Sequence, residues 1–124
     1  PYYCEALITK SKIDRNLSDF NNANKSIDEA IEITDKINSP DLSNYAVINK
    51  YIINIQKDQC EETVSKMHML MDKKISDEDK AYIQYNIWRY TSCENSKKTA
   101  LNLYKNLYKS FSKYQYKRYI DELS

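Results

Sequence analysis

Residues 6–13 read ALITKSKI and residues 46–53 read AVINKYII. Ala, Ile, Lys and Ile fall at the same offsets in both, and the Leu/Val and Thr/Asn differences are conservative. A weaker third copy, AYIQYNIW, begins at Ala81, so the copies are spaced 40 and 35 residues apart. Self-similarity at such a period marks a stack of repeated supersecondary units. Each copy is expected to be the first helix of a helical pair.

A second pattern recurs nearly in step. Ala23, Ile27, Ala30 and Ile31 stand at i, i+4, i+7 and i+8, which is one face of a helix with a period near 3.6. Thr63, Met67, Leu70 and Met71 repeat those offsets, as do Ala100, Tyr104, Leu107 and Tyr108. The punctuation agrees with this division. Ser18-Asp19 can cap a second helix, and Ser39-Pro40 offers an N-cap with proline at the first helical position. Asp58 with Glu61, and Ser76 with Asp79, have capping-box spacing. These signals predict helices at about 3–17, 20–37, 41–57, 60–74, 78–92, 96–110 and 113–123. The last carries Tyr116, Ile120 and Leu123 on one face, as a helix closing the end of a stack would. The predicted fold is therefore all-α with about seven helices in one domain over 1–124. Its repeats fall at about 4–38, 42–75 and 78–110, with the capping helix at 113–123.

Composition narrows the function. The 124 residues include no Gly and two Pro, and the net charge is +1. A chain without Gly lacks the positive-φ loops that phosphate cradles and nucleophile turns rely on. No catalytic motif is present, and no enzymatic activity is expected. The three cysteines, Cys4, Cys60 and Cys93, form no CxxC, and a single histidine, His68, stands at no metal-site spacing from them. No metal or other cofactor is expected, and the thiols read as reduced and half-buried in a cytoplasmic protein. No apolar run is long enough to span a bilayer. The chain begins at Pro1 without Met, which reads as a piece of a longer protein.

Helix pairs at this period resemble the tetratricopeptide repeat family. Leu7 and Ser11 occupy its large and small sites on the first helix, and Asp19-Phe20 matches the acidic–aromatic step after the turn. Ala23, Ile27 and Ala30 match its small–large–small row. Ala100, Tyr104 and Leu107 repeat that row, while Thr63, Met67 and Leu70 depart from it. The family's glycines are replaced by Ser11, Tyr51 and Asn86, and Tyr51 is expected to force its pair apart or to turn outward. The resemblance implies a right-handed α-α superhelix whose first helices line a concave ligand-binding surface.

Aligned in that way, the first helices place Ile8, Ile48 and Ile83 in one row. Lys12, Ile52 and Ile87 form the next, followed by Arg15, Ile55 and Tyr90. Thr9, Asn49 and Gln84 lie between them, with Asn16, Gln56 and Thr91 beyond. The implied binding residues are Ile8, Thr9, Lys12, Arg15, Asn16, Asn49, Ile52, Gln56, Gln84 and Ile87. Isoleucines can bury apolar anchors, while amides donate to and accept from a peptide backbone. The family's carboxylate clamp is incompletely matched, because Ile52 and Ile55 stand where further polar groups belong. The resemblance thus implies a scaffold that binds a protein or peptide, as in the sensory or docking part of a bacterial signalling protein. The partner is a separate protein or another domain of the same longer chain.

Two other features bear on partners. From Lys97 to Arg118 there are seven basic residues and no acidic one, interleaved with Tyr104, Tyr108, Tyr114 and Tyr116. Such a stretch can serve an accessory nucleic-acid-binding module. The tyrosines fall on packing rows, however, so the stretch reads first as a solvated basic face, and nucleic acid is not the expected partner. Asp28, Glu29, Glu32 and Asp35 give the predicted second helix the opposite sign. A structural or oligomerisation spacer is the remaining alternative.

Overall fold

The computed structural model describes residues 2–58 and 61–124, so Cys60 and the start predicted for the fourth helix lie outside the described residues. Seven α-helices and no strands are found among the described residues: α1 (Tyr2–Asn16), α2 (Phe20–Ile37), α3 (Pro40–Asp58), α4 (Glu61–Leu70), α5 (Asp77–Thr91), α6 (Glu94–Phe111) and α7 (Tyr114–Leu123). The fold is all-α, as the periodicity requires. The chain forms two compact units, Pro1–Thr63 and Val64–Ser124.

Local chemistry sets the helix ends. The Asp19 side chain accepts from the Asn22 backbone N–H, capping α2, and Ser76 accepts from the Asp79 N–H at 3.1 Å, capping α5. Pro40 opens α3, where its missing N–H costs nothing. Asp58 is the last residue of α3, and the link from it to Glu61 runs through residues outside those described. The chain reverses direction without glycine. Ser18, Asn38, Ser92 and Ser112 take positive φ of 61°, 53°, 59° and 42° after α1, α2, α5 and α6. These are left-handed helix-ending positions, where Gly is usual and Asn next. α4 is shorter than its expected end at residue 74. Met71, Asp72 and Lys73 donate instead to carbonyls three residues back. The polar run Asp72–Lys74 offers no apolar residue to extend the buried face of Met67 and Leu70.

In the first unit, α2 packs on both α1 and α3. Cys4, Leu7, Ile8, Ala23, Ile27, Ala30, Ala46 and Ile53 form its buried core. Ser11 is buried and donates to the Ala23 carbonyl at 2.9 Å, while the Cys4 thiol points at the Ala30 carbonyl at 3.6 Å. The earlier α1 residue, Cys4, meets the later α2 residue, and the later one, Ser11, meets the earlier, which makes α1 and α2 antiparallel. The small Ser11 and Ala23 permit the close approach. Outside the core, Lys50 bridges to Asp28 at 2.6 Å between α3 and α2.

In the second unit α6 packs on α5 and α7. Its core is Ala81, Tyr85, Ala100, Tyr104, Tyr116, Tyr119 and Leu123, flanked by half-buried Trp88. Helix α7 buries Tyr116, Tyr119 and Leu123 and exposes Gln115, Lys117, Arg118, Asp121 and Glu122. A polar outer face of this kind suits a helix that ends a stack. Tyr85 donates to Glu122 at 2.7 Å and Tyr116 donates to Glu78, tying α7 to α5.

Candidate functional site

One face of α3 faces α1 at both ends. Tyr45, Asn49, Ile52 and Gln56 follow one another at i, i+4, i+7 and i+11, so they form a single stripe. At its start, Lys12 Nζ donates to Tyr45 Oη at 2.9 Å and lies 5.6 Å from the ring centroid. At its end, Gln56 Nε2 donates to the Arg15 carbonyl at 3.3 Å. The stretch of α3 between these contacts holds Asn49 and Ile52, and the matching stretch of α1 runs from Lys12 to Asn16.

Two groups on this face lack partners. Arg15 is 5% exposed, and its Nε and Nη1 make no hydrogen bond. Asn49 is 1% exposed; its Nδ2 donates to the Tyr45 carbonyl of its own helix at 2.8 Å, which leaves Oδ1 without a donor. A buried guanidinium with open N–H groups is costly, and so is a buried amide oxygen with no donor, by about 1–3 kcal/mol for a neutral group and more for a charged one. Buried polar atoms are nearly always satisfied in folded proteins. The pair is therefore unusual, and its signs are complementary: a cluster of donors on α1 and a single acceptor on α3.

The other residues anticipated on this surface divide by exposure. Thr9 and Asn16 are exposed, and Lys12 and Gln56 are half-buried. Ile8 belongs to the core of the first unit, and Ile52 is fully buried. In the second unit Gln84 and Ile87 of α5 are 5% and 0% exposed. The isoleucines thus serve as interior, as do Arg15, Asn49 and Gln84, while exposed Thr9 and Asn16 and half-buried Lys12 and Gln56 are the anticipated side chains that reach solvent. Tyr45 was not anticipated. Its signal in the sequence is its place one turn before Asn49 on the same stripe.

Elsewhere the chemistry is sparse. His68 is exposed, as its surroundings in the sequence suggest. Cys93 is half-buried at the N-cap of α6, where the proximity of Ser96 lowers its thiol pKa without a side-chain capping hydrogen bond. Burial pushes the Cys4 thiol up. No group of three or more His, Cys, Asp and Glu placed to hold a metal occurs among the described residues. Nor is any helix among them long and apolar enough to cross a membrane. No protein-family model, curated protein sequence or solved structure matches this chain.

Proposed function

We propose that the chain is a non-catalytic interaction module that binds an extended peptide segment of a partner protein against the α1–α3 face of its first unit. The observation that carries this reading is the unpartnered pair, the Arg15 guanidinium and the Asn49 carbonyl oxygen. A peptide supplies both complements: carbonyl or carboxylate oxygens for the Arg15 N–H groups, and an N–H for Asn49 Oδ1. Exposed Thr9 and Asn16 and half-buried Lys12 and Gln56 lie on the same helices and can extend the hydrogen bonding. The resemblance to tetratricopeptide repeats points to the same face, since the first helices of such pairs carry the ligand. It also suggests a docking part of a cytoplasmic signalling protein.

The test combines binding with stability. A random twelve-residue peptide display library is selected on the full chain, and enriched peptides are measured against Arg15→Met and Asn49→Leu. If these groups are kept for a ligand, both substitutions abolish peptide binding. Both should also leave the free protein as stable or more stable, because replacing buried, poorly compensated polar groups by apolar ones of similar volume is often neutral or stabilising by about 1–4 kcal/mol. Peptides that bind the variants as well as the parent chain, or a library that yields no binder, would overturn the proposal.

A further inference from the structure

The seven basic residues between Lys97 and Arg118 separate into two sets. Lys97 lies over the Trp88 ring at 5.6 Å, Lys113 over Tyr116 at 5.6 Å and Arg118 over Tyr119 at 5.4 Å. Lys117 pairs with Asp121 at 2.9 Å. These four are engaged within the unit. The remaining three, Lys98, Lys105 and Lys109, are exposed and have neither an ion pair nor a ring contact.

Those three stand in one row of α6. Seven residues are nearly two full turns and eleven are nearly three, so Lys98, Lys105 and Lys109 project within about 40° of one another around the helix axis. Exposed Asn102 lies between them in the same row, with Asn95 and Asn106 beside it. No acidic residue occurs from Asn95 to Ile120. The row extends about 16 Å at 1.5 Å per residue.

The acidic side of the first unit is arranged differently. Asp28 is bridged by Lys50 at 2.6 Å, Glu32 lies 3.6 Å from Lys36, and Glu29 accepts from Tyr3 at 2.9 Å. Two of the four carboxylates on α2 are thus paired with lysines within the unit, whereas Lys98, Lys105 and Lys109 of α6 have no ion pair. Of the anionic partners available to an open cationic row, a membrane suits it poorly. A helix lying on a bilayer needs an apolar face to insert; Ala100, Tyr104 and Leu107 of α6 are taken up by the core, and the one large apolar side chain it leaves exposed is Phe111 at its end. From Lys98 to Lys109 the row holds only lysine and amide side chains, and Glu94, one turn before Lys98 at the start of the helix, is the acidic residue in line with it. A nucleic-acid strand places one phosphate per about 3.4 Å of duplex axis, so the row runs alongside about five phosphates, with the amides able to donate to oxygens between the lysines.

We propose that the exposed face of α6 is a sequence-independent binding surface for the sugar–phosphate backbone of nucleic acid, with Lys98, Lys105 and Lys109 as its phosphate contacts. It rests on α6 alone and is independent of the peptide reading for α1 and α3. Phosphates are contacted without base readout, because no aromatic side chain of α6 lies in the row for stacking.

The probe is a fluorescein-labelled mixed-sequence 20-base-pair DNA duplex, titrated with the full chain by fluorescence anisotropy. Three phosphate contacts give a slope of about −2.7 in log K against log salt, a loss of about twenty-fold in affinity between 50 and 150 mM. The triple variant Lys98→Gln/Lys105→Gln/Lys109→Gln should lose at least ten-fold at 50 mM salt and flatten that slope. Its circular dichroism should not change, since all three side chains are solvated. Exposed Lys25 and Lys57, each changed to Gln, serve as controls and should leave binding within two-fold. No binding at 50 mM salt, or binding equal in parent and triple variant, overturns the proposal. Equal affinity for poly-glutamate or for phosphatidylserine vesicles also overturns it, by assigning the row to an acidic protein or a lipid surface.

Discussion

The two units reach similar helix packing with different interiors. The Pro1–Thr63 core is aliphatic: Ile8, Ile27 and Ile53 interleave with Ala23, Ala30 and Ala46. The Val64–Ser124 core is built from tyrosine. Tyr104 stacks on Tyr119 with centroids 4.6 Å apart, Tyr119 meets Tyr85 edge-on at 4.7 Å, and Tyr116 tilts against Tyr104 at 6.0 Å. Two of those rings hand their hydroxyls to carboxylates, Tyr85 to Glu122 and Tyr116 to Glu78. An aliphatic interior responds to volume alone, whereas a phenolic one responds to volume, to ring geometry and to the ionisation of its hydroxyls. The difference predicts that the same perturbation strikes the units unequally.

The largest expected effect is loss of a ring. Tyr104 is 1% exposed and meets two aromatic neighbours, so Tyr104→Ala removes its buried area together with its ring contacts. The cost should be about 3–5 kcal/mol, measured by urea unfolding at neutral pH. Ile27→Val, at a fully buried position of the aliphatic core, deletes one buried methylene and should cost only about 0.5–1.5 kcal/mol. A Tyr104→Ala cost under 1 kcal/mol would show that the aromatic stack does not hold the second unit together.

The next effect is alkaline sensitivity. Burial, followed by the hydroxyl's bond to Glu122, raises the Tyr85 pKa well above its usual value of about 10, and burial raises Tyr104 further. Burial and then Glu78 push Tyr116 up to about 12. A phenol with a raised folded pKa binds its proton more tightly in the fold. Its contribution is therefore complete below pH 10 and drains as pH climbs through 10 toward 12 and beyond. Each such tyrosine can cost on the order of 1.4 kcal/mol per pH unit across that window. In the first unit the corresponding shift falls on Tyr3, which is exposed and whose pKa is raised by its bond to Glu29. Trp88 is the chain's one tryptophan and lies against the second core. Between pH 10 and 11.5 the urea midpoint of its fluorescence should fall faster than that of far-ultraviolet circular dichroism, which reports both units. Coincident midpoints over that range would mean the phenols are not held protonated by the fold.

The same contrast explains what could be read from the sequence. The Ala23–Ile27–Ala30 row was legible because aliphatic residues at helical spacing have one use, and those positions are buried. Ser11 was legible as a small residue at a helix crossing, and the bond to Ala23 places it there. Tyr119 was not anticipated as core, because a tyrosine next to Arg118 and two residues from Lys117 reads equally well as surface. The site divides along the same line. The expectation that Arg15, Asn49 and Gln56 share a face came from aligning the first helices as the resemblance implies, and of these Gln56 reaches the Arg15 carbonyl at 3.3 Å. That Arg15 would be buried with open N–H groups, and that Tyr45 would take the ammonium of Lys12, depends on contacts between α1 and α3 more than thirty residues apart in sequence. Composition has no access to such contacts.

The smallest expected effect concerns the turns, where the two units are alike. Ser18 after α1 and Ser92 after α5 hold φ of 61° and 59°, in a chain that contains no glycine. A left-handed conformation crowds Cβ against the backbone by roughly 1–2 kcal/mol, a penalty that glycine avoids. Glycine also widens the unfolded ensemble, which takes back about 0.4–1 kcal/mol. Ser18→Gly and Ser92→Gly should each therefore stabilise by about 0.5–1 kcal/mol. Both serines are exposed, so little packing is lost with their side chains. Equal gains at the two sites would show that turn strain is local, independent of whether isoleucine or tyrosine fills the interior behind it. A loss at either site would mean that the serine there restricts the unfolded chain more than its left-handed turn strains the folded one.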